Sequence, residues 1–372
     1  MTQIFVELGG ATLGLALLAR LARRWSLSAI PLYLLAGLAF GNGGLLPLNV
    51  SKDFDEVGSE IGVLLLLFML GLEYSGEQLK QNLSSGISGG VIDFVLNFPP
   101  GFVTGLLLGW NILPSILLGG VTYISSSGII ARVLSELSRL NCPETPVVLS
   151  ILVLEDLVMA IYLPLVAVLL AGGGPTKILI SVSIAVVAVL FALFAAIRYG
   201  KFFSSFLEHE SDEVILMTGF GSVLLVGGIA QRFQVSAAIG AFLVGIAISG
   251  PIADKSYRLI APLRDLFASI FFFFFGLEIN PHSLPPVLPV ALALAAATTG
   301  TKILTGYWAS RGFQLSRNAR LRAGFTLVAH GEFSIVIAGL GVALEPGLGP
   351  LSAAYVLIMA ILGPVTARMI RD

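Results

Sequence analysis

The feature that most constrains this chain is a succession of apolar stretches, each about the 20 residues that a helix needs to cross a bilayer. Broken at charged or Pro/Gly-rich joints, the 372 residues divide into thirteen stretches: roughly 3–22, 28–46, 56–73, 84–109, 113–138, 146–171, 176–199, 212–230, 233–250, 260–278, 286–310, 319–344 and 350–369. The pattern is least regular in 84–109, which holds Pro99 and Pro100, and in 212–230. Hydrophobic residues make up 56% of the chain and charged ones 12%, about half the charged share of soluble domains. A soluble core has no use for that much apolar surface; lipid does. The expected fold is an all-α membrane protein of about thirteen transmembrane helices.

Lysine and arginine placement predicts orientation, because cytoplasmic joints are enriched in them. Of 21 such residues, seventeen fall on alternate joints: Arg20, Arg23 and Arg24; Lys80; Arg132 and Arg139; Arg198 and Lys201; Lys255, Arg258 and Arg264; Arg311, Arg317, Arg320 and Arg322; Arg368 and Arg371. The opposite joints hold Lys52, Lys177 and Arg232, and Lys302 lies inside a stretch. This pattern puts the N-terminus outside and the C-terminus in the cytoplasm, in an expected bacterial inner membrane. A formal net charge of −1 offers no basic patch, so nucleic acid is not an expected partner. Cys142 is the sole cysteine, which excludes an internal disulfide and a Cys-based zinc site. No charged segment precedes the first apolar stretch, so no cleavable signal peptide is expected.

The chain also repeats itself. Ser28–Asn42 (SAIPLYLLAGLAFGN) resembles Ser236–Gly250 (SAAIGAFLVGIAISG), 208 positions later. Phe68–Ser75 (FMLGLEYS) resembles Phe273–Asn280 (FFFGLEIN), 205 positions later. Two matches at nearly one offset predict homologous halves, 1–171 and 210–372, joined by a linking helix within 172–200. An odd linker makes the halves run in opposite directions. Inverted repeats of this kind are a transporter architecture, with the site near the midplane. Chance similarity of Gly/Leu-rich helices is the plain alternative; the shared Gly-Leu-Glu argues against it.

Stretches 113–138 and 319–344 occupy equivalent places in the halves, and each carries a polar interruption. The first is Thr122-Tyr123-Ile124-Ser125-Ser126-Ser127-Gly128; the second has Thr326 and then His330-Gly331-Glu332. Hydroxyls and small residues at that depth let a helix unwind, because neighbours re-satisfy the freed backbone. Two such breaks would point helix ends and loose carbonyls into one ion site. Alternatively, the serines bond back to carbonyls of a continuous helix.

An ionisable side chain at the bilayer centre costs roughly 2.5–3.5 kcal/mol even on a permissive scale. The deepest here are Asp93, Glu155, Asp156, Lys302 and Glu332. Glu155 and Asp156 are adjacent in LSILVLEDLVMA, so their side chains point about 100° apart on a helix and border one cavity without facing one partner. Neighbouring carboxylates in a low dielectric resist double ionisation. Such a pair exchanges a proton for a cation, and oxygen ligands suit hard ions such as Na⁺. A purely structural pair at a helix contact is the bland reading. Lys302 is nine residues from Arg311, roughly 13 Å along a helix and too far to reach water comfortably. It needs an anionic partner, for which Glu155 or Asp156 is expected, unless it snorkels past Thr298 and Thr301. Arg132 and Glu332 sit at matching points of the two broken stretches and form either a structural pair or, for Glu332, a ligand. Asp93 shares its stretch with Asn97 and two prolines, and lines a pathway or caps a kink. His330 reads as polar packing ahead of proton relay. Phe271–Phe275 face lipid or pack, and Gly37-x-x-x-Gly41 and Gly105-x-x-x-Gly109 are close-packing signals.

Taken together, the paired Gly-Leu-Glu segments, Ser127-Gly128-Ile129-Ile130-Ala131-Arg132, Glu155-Asp156 after Leu154, Lys302 and His330-Gly331-Glu332-Phe333 resemble the cation:proton antiporter superfamily. The nearest branch holds bacterial Na⁺/H⁺ antiporters and glutathione-gated potassium efflux systems. The resemblance implies a homodimer of thirteen-span protomers, each with a dimerisation domain and a mobile core holding two crossed broken helices. It implies that Asp156 stands at the family's ion-binding aspartate, transiently ligating Na⁺ or K⁺, and that Lys302 matches the lysine of electrogenic members. Glu155 departs from the pattern: its position is Asp in electrogenic sodium antiporters, Asn in electroneutral ones and Gln in potassium efflux systems. Efflux members often continue into a cytoplasmic nucleotide-binding domain, and none is expected within 1–372; such a domain or subunit would be a separate partner.

The expected activity is secondary antiport of a monovalent cation against protons by elevator-type alternating access, with no enzyme chemistry and no cofactor. Asp156 and Glu155 bind protons or the cation, Lys302 neutralises them when the cation is absent, and Ser126, Ser127 and Thr122 supply neutral oxygens. A sodium-coupled organic solute symporter shares the inverted-repeat plan but would show solute uptake without proton counterflow. A gated K⁺ channel would differ in flux rate and in lacking proton coupling. An intramembrane aspartyl protease would need a Gly-x-Gly-Asp signature that the chain lacks.

Overall fold

The computed structural model describes residues 2–24, 29–41, 44, 52–73, 76–139, 141–170, 183, 187, 204–205, 207–232, 237–248 and 250–370. Every regular element among them is helical: α1 (Thr2–Arg24), α2 (Ile30–Phe40), α3 (Lys52–Glu73), α4 (Gly76–Leu107), α5 (Ile112–Tyr123), α6 (Ser127–Glu136), α7 (Thr145–Leu170), α8 (Asp212–Arg232), α9 (Ala237–Ala247), α10 (Pro251–Glu278), α11 (Leu284–Ala309), α12 (Arg317–Thr326), α13 (Glu332–Gly341) and α14 (Leu348–Ala367), with short 3-10 turns before and after α11.

Seven helical stretches are long and apolar enough to cross a bilayer by length and composition: Ile87–Leu107, Ile112–Ile130, Thr145–Leu170, Asp212–Arg232, Pro251–Glu278, Pro281–Phe313 and Leu348–Ala367. The expected stretches 28–46 and 233–250 appear as α2 and α9, of 11 residues each. Eleven residues rise only about 16 Å; the flanking 45–51 and 233–236 lie outside the described residues. So does nearly all of the expected linker 176–199. The two polar-interrupted stretches are discontinuous: α5 stops at Tyr123 and α6 starts at Ser127, while α12 stops at Thr326 and α13 starts at Glu332. Large apolar side chains line the outside, among them Leu107 at 82% exposure and Leu13 at 69%. That surface suits lipid, not water.

α4 runs unbroken through Pro99 and Pro100. The Thr122 hydroxyl of α5 enters its ladder there, accepting from Gly101 N–H at 3.2 Å and donating to Asn97 O at 2.9 Å. Only glycine permits this approach, since a Cβ at 101 would lie 2.2 Å from Leu118 O. Gly105 likewise packs closely, on Ser115. Gly109 does not: it has φ +81° with open space around it. Its N–H bonds Leu106 O and the next, Trp110 N–H, bonds Gly105 O, the Schellman ending of a helix. The expected packing motif is thus half packing and half helix stop.

The chain forms two compact units. One comprises Ser51–Gln81 and Leu157–Phe271, where α9 packs between α3 and α8 over a core of Leu65, Phe68, Ile215, Val223, Ala241 and Ile260. Here Gly71 meets Gly245, a Cβ on the latter falling 2.7 Å from Gly71 Cα. The other unit comprises Met1–Val50, Asn82–Asp156 and Phe272–Asp372. In it α11 packs on α12 and α14, and α13 on α5 and α14. Gly37 of α2 meets Gly276 at the end of α10, a Cβ at 37 falling 2.7 Å from Gly276 Cα. Phe271–Phe275 are all buried, so the run packs and does not face lipid.

Candidate ion and proton site

All the candidate residues lie in the second of these units. Glu155 and Asp156 occupy the middle of α7, 0% and 4% exposed, and Lys302 of α11 is 0% exposed. An ammonium has three protons to give. Lys302 gives one to Glu155 Oε1 at 2.8 Å, one to Asp93 Oδ1 at 3.0 Å and one to Tyr123 O at 2.7 Å. Of the two partners expected for it, Glu155 makes the bond. Asp93, which sequence reasoning left between a pathway and a kink cap, is the second carboxylate. Its neighbour Asn97 donates to Asp93 Oδ1 at 2.8 Å and to Thr305 Oγ1 at 2.9 Å, and accepts from Thr301 at 2.7 Å.

Tyr123 O is the last carbonyl of α5, one of the groups a helix end leaves unsatisfied. Several other carbonyls at the breaks are met as well. Val121 O accepts from Ser334, and Thr122 O faces His330 Nε2 at 3.1 Å. On the second break, Leu327 O lies 3.1 Å from Ser125 Oγ, whose one proton it shares with the nearer Glu155 Oε1, Val328 O faces His330 Nδ1 at 2.9 Å, and Ala329 O accepts from Ser126 N–H at 2.8 Å. The two breaks therefore cross and satisfy each other. His330 lies wholly buried between them, its Nε2 also 3.1 Å from Tyr355 Oη, which donates to Thr298.

The serine run divides its work in a way periodicity could not forecast, because the segment is not helical. Ser125, absent from the expected ligand set, donates to Glu155 twice: its N–H makes a short bond to Oε2 and its hydroxyl reaches Oε1 at 2.9 Å. Ser126 donates to Glu332 Oε2 at 2.9 Å and accepts from Ile129 N–H, an N-cap for α6. Ser127 opens α6 and is half-buried. Thr122, expected as a neutral ligand, is committed to the α4 ladder instead. Glu332 stands in the first turn of α13, with Oε1 3.4 Å from where a Cβ on Gly128 would sit. Its carboxylate thus serves two helix N-termini, where negative charge is favoured. The side chain of Arg132, its expected partner, lies outside the described residues.

Two positions counted as orientation signals do structural work. Arg322 binds Glu144 through both ends of its fork, at 2.6 and 3.2 Å, with both residues buried. Arg139 donates to Ala367 O and Ile370 O, tying the α6–α7 joint to the end of α14.

A helical membrane chain with two crossed breaks around buried carboxylates and a lysine has the make-up of a secondary transporter. The profile of the family "Sodium/hydrogen exchanger, transmembrane" matches residues 11–370, and the chain belongs to that family, whose members are cation/proton antiporters and not enzymes. It is 35% identical to the K(+)/H(+) antiporter subunit KhtU of Bacillus subtilis, over 99% of this chain and 94% of that protein. It is 30% identical to the ammonium/H(+) antiporter subunit AmhT of Alkalihalophilus pseudofirmus, over 90% and 85% respectively. Its fold matches the sodium proton antiporter MjNhaP1 of Methanocaldococcus jannaschii with TM-score 0.72, at 17% identity, across 99% of both chains.

Proposed function

We propose that the chain exchanges one monovalent cation for protons by elevator-type alternating access, with Asp156 and Glu155 as the carboxylates over which cation and protons compete. The observation that carries this is the Glu155–Lys302 pair, buried where two broken helices cross. A buried pair that only held helices together would be replaceable by apolar side chains at little cost. Here the lysine supplies a positive charge that a small cation takes over on arrival. Asp156 is the ligand that binds the cation directly, with Ser126 and Ser127 as neutral oxygens. Glu332 holds the crossing together through Ser126. K⁺ comes first among the candidates, on the strength of the 35% relative, with NH₄⁺ and Na⁺ next.

The reading extends to the whole chain. The Gly37–Gly276 and Gly71–Gly245 contacts support inverted halves, since each pairs a helix of one half with the reciprocal helix of the other. Both relatives bear the name of antiporter subunits, which supports a separate regulatory partner; a homodimer in a bacterial inner membrane, N-terminus outside, completes the proposal.

The test is pH-gradient-driven uptake of K⁺, NH₄⁺ and Na⁺ into proteoliposomes. At least one cation moves with the wild type and none with Asp156→Asn. Exchange retained by Asp156→Asn removes the proposed site.

A further inference from the structure

We infer that Asp93 holds Lys302 throughout the transport cycle, so that an arriving cation competes with the lysine for Glu155 alone. The inference rests on the exchange site proposed above and assigns Asp93 as a positioning residue.

The two carboxylates on Lys302 are not equivalent. Glu155 has other donors: Ser125 N–H on Oε2 and the Ser125 hydroxyl on Oε1. When Lys302 leaves it, those bonds remain. Asp93 receives Lys302 and Asn97 on Oδ1, and its buried Oδ2 has no hydrogen-bond partner among the described residues. Among the described residues, Lys302 is the cation paired with it. A carboxylate with 0% exposure and one bare oxygen has no substitute for that charge. Glu155 is able to release the lysine; Asp93 is not.

Lys302 has matching reasons to stay. Without Glu155 it keeps Asp93 Oδ1 and Tyr123 O, a charged and a helix-end acceptor. Asn97 then fixes Asp93 in place, locked to α11 through Thr301 and Thr305, so the anchor and the lysine's own helix are one assembly. In this arrangement Lys302 swings between sharing Glu155 and resting on Asp93, and Asp93 sets how hard the lysine competes with the cation.

The experiment measures half-saturating K⁺, NH₄⁺ and Na⁺ and maximal exchange rate in proteoliposomes for wild type, Asp93→Asn and Asp93→Asn/Lys302→Gln. Cation-dependent thermal stabilisation of the detergent-solubilised proteins supplies the half-saturation wherever exchange is too slow to follow. In Asp93→Asn the lysine falls wholly on Glu155, and half-saturation rises about tenfold or more while the maximal rate changes less. Removing the lysine as well returns half-saturation to within about threefold of wild type, because the competitor is gone. A residue that merely props the helices apart would leave the double variant at least as impaired as the single. An unshifted Asp93→Asn overturns the inference, since asparagine copies a neutral acid that holds no ammonium. A double variant no better than the single overturns it too. Should Asp93→Asn not fold, the anchor predicts that the double variant does, since it removes the lysine along with its anchor and leaves Glu155 to the Ser125 donors; failure of both overturns it. Wild type without cation/proton exchange refutes the antiport reading itself, whereas wild-type exchange with an unshifted Asp93→Asn refutes only the anchor.

Discussion

Glu155 survives in an apolar interior because five groups share its burden: the lysine, the two Ser125 donors, and behind the lysine Asp93 and Tyr123 O. Ser125→Ala keeps the backbone donor and deletes one hydroxyl bond to a charged acceptor, a loss of about 1.5 kcal/mol. Half-saturating cation in a proteoliposome assay should rise by roughly tenfold, with Ser125→Thr nearer wild type; equal affinity for wild type and Ser125→Ala would show the bond to be idle. Glu144 and Arg322 answer to stability instead. Glu144→Gln removes the carboxylate that receives both ends of a buried guanidinium's fork and should cost about 3 kcal/mol in thermal unfolding, with Glu144→Gln/Arg322→Met recovering much of it. Much of this was legible in the sequence. Charges are so scarce in apolar stretches that Lys302 could be paired with Glu155 or Asp156 from scarcity alone, and the structure chooses Glu155. Asp93 could not be assigned, because pairing it required knowing which face α4 turns toward α11. Ser125 was missed for a related reason: helical periodicity stops at the break, so nothing told it from Ser126.

The breaks themselves were readable, because hydroxyls, glycine and a His-Gly-Glu run at mid-depth have no other economical use. What the sequence hid was how each freed carbonyl would be satisfied. Val121 and Tyr123 of one break, and Ala329 of the other, find donors on the opposite span or on α11; Leu327 shares the Ser125 hydroxyl with Glu155, and Thr122 O and Val328 O face the two nitrogens of His330, whose tautomer decides which of them accepts. Thr122 illustrates the limit. A hydroxyl beside a predicted ion site looks like a ligand, and only the register of α5 on α4 reveals it inserted into the Asn97–Gly101 ladder. Gly101→Ala tests that register. Its Cβ would meet backbone of α5, which cannot yield as a flexible side chain does. Exchange should fall by at least about tenfold even where protein is recovered folded, since a shift near 1 Å at a reacting site costs that much or more. Full activity in Gly101→Ala would mean the α4–α5 contact does not position the site.

At the scale of the molecule, length and apolar rhythm were enough for an all-helical membrane fold, and the fold matches a solved sodium proton antiporter across 99% of both chains. They understated the regularity of one span: α4 continues through its prolines, where the Thr122 hydroxyl enters its ladder. The Lys/Arg asymmetry also mixes two causes: Arg139 and Arg322 count toward topology yet are buried in structural bonds. The central claim is that cations and protons compete for the same buried carboxylates, and one titration addresses it most directly. Cation is added to purified protein in weakly buffered detergent solution, and proton release is followed alongside thermal stabilisation. Wild type should release protons in step with cation binding, and Asp156→Asn should neither release them nor be stabilised. Cation binding by the wild type without any proton release would contradict the account.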